Sequence, residues 1–110
     1  MSERERKRRI AENEVIFRSV NEQLRSLNST LTTLTDPLQI VCECGTRSCT
    51  ERIPVALEAY LEVREDPTLF ITKPGHDFPE TERVESKQEQ YWTVRKDPGL
   101  PSEIARRAPG

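Results

Sequence analysis

All three cysteines of the chain fall within eight residues, as Cys42-Glu43-Cys44-Gly45-Thr46-Arg47-Ser48-Cys49, and its single histidine, His76, follows a Pro-Gly pair. The chain therefore owns one complete Cys3His set, the kind of four-ligand shell that closes a structural zinc site. Composition explains the need for such a staple: with 34% apolar and 33% charged residues, 110 residues can bury only a thin core. The set predicts one structural Zn²⁺ held by Cys42, Cys44, Cys49 and His76, although the same donors also suit iron. Gly45 is expected to take a positive φ that turns backbone amides toward the sulfurs, and Pro74-Gly75 to hold His76 across from the cysteines. Three thiolates, a neutral imidazole and a divalent ion sum to one negative charge, which Arg47 or Arg52 would offset. The competing readings are three buried metal-free thiols and a redox disulfide, which an odd cysteine count fits poorly. A Cys-His nucleophilic pair does not need all three cysteines in one cluster.

Residues 3–34 contain neither Gly nor Pro, and Ile10, Phe17, Leu24 and Leu31 recur every seven residues with Val20, Leu27 and Leu34 at the complementary position. This pattern predicts one long amphipathic helix in segment 1–36, with Asn13 the polar member of a coiled-coil-like seam, where a lone Asn fixes register. A helix of about 32 residues runs close to 50 Å, more than a domain of roughly 60 further residues covers. Ile10, Phe17, Val20, Leu24 and Leu27 are therefore expected to face a partner or a second copy. Packing of the same stripe on the chain's own domain is the alternative.

Segment 37–96 reads as a small zinc-stabilised α+β domain: strands near 38–42 and 50–55 around the cysteine-rich tip, a short helix over 57–64, a strand over 69–72, and a last strand pair around 87–90. Together with the long helix and a zinc-knuckle hairpin, the expected fold is α+β with a small antiparallel sheet. Residues 97–110, with three Pro and two Gly, are expected to form a disordered tail. No signal-peptide core or membrane-length apolar run appears, so a cytoplasmic protein is expected.

The string Ala11-Glu12-Asn13-Glu14 with Phe17-Arg18, Cys42-Glu43-Cys44-Gly45 through Cys49-Thr50-Glu51-Arg52, Asp66-Pro67, Pro74-Gly75-His76 and Glu82-Arg83-Val84 resembles a family of short, uncharacterised actinobacterial proteins. The likeness spans roughly residues 3–96. It implies that the cysteines, His76 and the long helix form one module, some copies of which are appended to regulatory proteins. The function expected is a zinc-stabilised protein-interaction module, a regulatory adaptor that holds a partner or itself through the N-terminal helix. Nucleic-acid binding through Arg4, Arg6, Lys7, Arg8 and Arg9 is the alternative, weakened by Glu3 and Glu5 and by a formal net charge of −2. Catalysis is not expected, because a metal-bound His76 leaves no imidazole for general-base work.

Overall fold

The computed structural model describes residues 2–28 and 37–108, apart from the side chains of Leu27 and Asn28. Helix α1 spans Glu3–Asn28, as the absence of Gly and Pro dictates, and about 39 Å of helix accounts for much of the 45 Å long axis. Leu31 and Leu34 of the expected heptads lie outside the described residues. Strands β1 (Leu38–Val41) and β2 (Arg52–Val55) form an antiparallel hairpin in which Leu38 faces Val55 and Ile40 faces Ile53, all four buried. Helix α2 (Leu57–Arg64) leads to β3 (Leu69–Thr72), which joins β4 (Glu82–Lys87) and β5 (Trp92–Lys96) in an antiparallel sheet of order β3-β5-β4. The polar stretch after Val84 forms a bulge between Val84 and Ser86, which keeps β4 paired to its end.

Two apolar clusters result. One gathers the hairpin, Tyr60 of α2 and Ile71; the other gathers Phe70, Val94 and Ala105, with Val15 and Val84 against them. Helix α1 lies across both, yet the face it buries is Ile10, Ala11, Glu14, Arg18 and Asn21. That face is rotated roughly 80° from the apolar stripe seen in the sequence. Of the stripe, Ile10 is buried, Phe17 and Leu24 are half-buried and Val20 is 39% exposed. Ile10 thus belongs to the chain's own core and not to a partner-facing seam.

Polar residues can line a buried helix face only where each finds a partner. Lys96, fully buried on β5, donates to Glu14 Oε1, to Thr81 Oγ1 at 3.0 Å and to Glu82 Oε1 at 2.9 Å, so its three protons are all used. Arg18 donates to the Pro67 carbonyl at 2.7 Å and the Ala105 carbonyl at 2.8 Å, with its guanidinium 4.8 Å from the centre of the Phe70 ring. One residue of α1 thereby ties down the α2–β3 turn, β3 and the C-terminal segment.

That segment corrects the expected disordered tail: Leu100–Arg107 form helix α3, packed on α1, with Pro101 and Ala105 buried. The Pro and Gly residues act as helix-start signals, since Gly99 sits before the first turn at φ 96° and Pro101 occupies the start, where a missing N–H costs nothing. Ser102 Oγ adds a hydrogen bond of 2.7 Å to the Asp97 carbonyl.

Two outcomes follow from this packing. Truncation after Lys96 removes one acceptor of buried Arg18 and should destabilise the chain by about 2 kcal/mol or more, read as a lower melting temperature; an unchanged value would mean α3 is dispensable. Two carboxylates on one ammonium leave an excess negative charge, and burial, with a hydrogen bond to Glu82, raises the pKa of Glu14 well above its ordinary value. Between the unfolded and folded pKa values the folded chain holds one extra proton, so stability falls as pH rises through that window. Glu14→Gln should flatten this slope above pH ~5 while preserving the fold; a slope identical to wild type would disprove the protonation.

Candidate metal centre

The ladder of the hairpin continues one step past β1, where the Cys42 N–H donates to the Glu51 carbonyl at 2.9 Å. Beyond it the chain alternates: Cys42 and Cys44 turn to one side, while Glu43 between them turns into the core, 0% exposed. A turn closed by the Cys49 N–H on the Thr46 carbonyl, 3.0 Å, returns Cys49 to the same side. Pro74-Gly75, with Gly75 at φ 84°, makes the expected turn after β3, and the His76 N–H closes it on the Lys73 carbonyl at 3.0 Å.

The four ligating atoms of Cys42, Cys44, Cys49 and His76 lie within 4.8 Å of one another. His76 presents Nδ1, 3.6 Å from Cys42 Sγ and 3.7 Å from Cys49 Sγ. Bonds of about 2.3 Å to sulfur and 2.0–2.1 Å to nitrogen at the tetrahedral angle place a nitrogen and a sulfur roughly 3.5–3.6 Å apart, so these two His76–cysteine spacings fit a bound ion. The sequence-derived ligand set is thus brought together in full. Cys42 and Cys44 are each 1% exposed, whereas Cys49 and His76 are half-buried at the outer side.

Without a metal the thiols share protons: a hydrogen bond from Cys42 pulls the Cys44 pKa down, and that bond together with burial pushes Cys42 up. A metal ion held by Cys42, Cys44, Cys49 and His76 would remove this compromise by favouring the thiolate form of all three cysteines. The Lys73 backbone N–H, 3.2 Å from Cys42 Sγ, supports negative charge there. Arg47 and Arg52, expected to offset the charge, are both exposed.

Gly45 is needed for space and not for a positive φ, which among the described glycines only Gly75 and Gly99 adopt. A Cβ on Gly45 would lie 2.5 Å from Ile10 Cγ2 and 3.0 Å from Phe78 Cε2. Helix α1 therefore rests directly on the cysteine loop, and Asn13 Nδ2 donates to the Gly45 carbonyl at 3.0 Å. The Asn read as a register device is a tether to the metal loop.

The residue that sequence reasoning missed is Glu43. Its carboxylate accepts from Arg64 of α2, from Asn21 Nδ2 of α1 at 2.7 Å and from the Ile71 N–H of β3 at 2.9 Å. Its position between two ligands that share a side was the available signal. On the basic N-terminus, Arg6 pairs with Glu80 at 2.9 Å and Lys7 with Glu3 at 3.4 Å, while Arg8, Arg9 and Arg47 line one cavity with Glu5 and Glu12.

Gly45→Ala should lift α1 from the loop at a cost of about 1–3 kcal/mol and speed metal release to a chelator; unchanged melting and release would show that α1 and the loop are not coupled. No family model, curated protein or solved structure matches the chain.

Proposed function

We propose that this protein is a small zinc-stabilised interaction module, a non-enzymatic regulatory adaptor that holds a partner protein or a second copy on the outer face of α1. The closed four-ligand shell carries the zinc part of the reading: three thiolates and one imidazole leave no open position for a substrate, and His76 is committed to the shell. The interaction part is supported by Ile16 and Val20, which remain 51% and 39% exposed on α1 beside half-buried Phe17 and Leu24. A cytoplasmic setting suits three free thiols, and among the described residues no helix is long and apolar enough to cross a membrane. Nucleic-acid binding draws on Arg8, Arg9 and Arg47 around one cavity, but Glu5 and Glu12 share its lining.

The purified chain should contain one zinc ion, measured by elemental analysis. Ile16→Asp with Val20→Asp should keep that ion and stay within about 1 kcal/mol of wild-type stability, because both sites are exposed. The same pair should abolish a concentration-dependent rise in mass by light scattering. A metal-free, fully folded chain would reject the zinc reading; a monomer whose association with nucleic acid falls steeply with salt would favour the basic surface instead.

A further inference from the structure

The four ligands differ in access. Cys42 and Cys44 are 1% exposed, whereas Cys49 and His76 line an open cavity of about 450 Å³ together with Thr46, Glu51, Asp77 and Phe78. We propose that Cys49 is a peroxide-reactive site through which a small hydroperoxide opens the metal centre. This rests on the metal-binding reading above and adds to it a chemical input.

Three observations carry the inference. An electrophile approaching through the cavity meets one sulfur, Cys49, because the other two lie behind it. A second thiolate is always in reach, since every ligating atom is within 4.8 Å of the others. The centre also holds every cysteine of the chain, so no other thiol competes for the oxidant.

The electron count closes with hydrogen peroxide as co-reactant. The Cys49 thiolate attacks one peroxide oxygen, the O–O bond breaks, and hydroxide leaves and is protonated to water; Cys49 is then a sulfenic acid, oxidised by two electrons. The thiolate of Cys42 or Cys44 attacks that sulfur, a second hydroxide leaves and is protonated to water, and a disulfide remains. In total one peroxide and two protons convert two thiolates to a disulfide and two waters. One cysteine and His76 are left, too few to close a four-coordinate shell. The surrounding fold does not depend on the metal alone, because Asn13 still holds Gly45 and Glu43 still holds Asn21, Arg64 and Ile71. Oxidation therefore opens the loop without dismantling both clusters.

The test uses the zinc-loaded full chain and a slight excess of hydrogen peroxide, with a chromogenic chelator to follow zinc and peptide mass spectrometry to locate the disulfide. The expected result is stoichiometric zinc release with Cys49 in every disulfide, reversed by a thiol reductant plus zinc. Cys49→His keeps a fourth ligand but removes the accessible sulfur, and should release zinc at least tenfold more slowly. Mapping on the wild-type chain stands whether or not that variant binds metal. A zinc-loaded chain that withstands the peroxide, first oxidation at Cys42 or Cys44, or equal release from Cys49→His overturns the proposal and leaves the zinc module intact. A folded chain that never held zinc overturns both readings.

Discussion

A buried carboxylate organises the molecule. Glu43 sits between Cys42 and Cys44 of the candidate metal centre with no exposed surface, and an ionised carboxylate there is tenable only if its lone pairs are filled. Arg64 supplies the countercharge, Asn21 and the Ile71 amide supply further donors, and these three belong to α2, α1 and β3. Asn21 is itself used in full, since its Oδ1 accepts from the Val41 N–H at 2.8 Å and its amide also reaches the Val41 carbonyl at 2.8 Å. Tyr60 beneath Arg64 donates to Glu22 at 2.6 Å and places its ring 4.9 Å from the guanidinium. The geometry of the ligand loop is thus set from its inner side by charge and hydrogen bonding, independently of any ion on its outer side.

The same economy governs α1. A chain with few large apolar residues cannot seal a long helix with leucine alone, so the contact surface uses side chains whose stems are apolar and whose heads are paired. Glu14, Arg18 and Asn21, one below another on a single face, each reach a different element. Burial of this kind is directional: a displaced helix would strand charges, whereas a displaced leucine stripe could repack.

Much of this was legible in the sequence and some was not, for physical reasons. The convergence of the three cysteines and His76, the Pro-Gly turn, α2 and β3 were readable because each depends on local chemistry or on residue types with few alternative uses. That residues 3–28 form one helix was readable in their lack of Gly and Pro, while the expected continuation toward residue 36 lies outside the described residues. Its buried face was not, because hydrophobic periodicity ranks Phe17 and Val20 above Arg18 and Asn21, and the partners that reverse the order lie tens of residues away. Helix α3 was not legible because the Pro and Gly content of 97–110 points to disorder, although Pro101 and Ala105, four residues apart, share the helical face that is buried. Gly45 misled in a subtler way, since a glycine spared for contact distance and one spared for its backbone angle look the same in one sequence.

The bulge in β4 has a consequence for the chain's behaviour in a crowd. This strand is one of the two edges of the three-stranded sheet, and an unpaired edge invites strand addition from other chains. The irregularity between Val84 and Ser86 breaks the even spacing that a templated strand requires, and Arg83, Glu85 and Lys87 along it are all exposed and charged. Lys87 also lies over Trp92, 4.5 Å from the ring centre, and shields the largest aromatic surface on that side. The edge is thereby built to refuse intermolecular sheet growth, a safeguard suited to a protein whose apolar core is small.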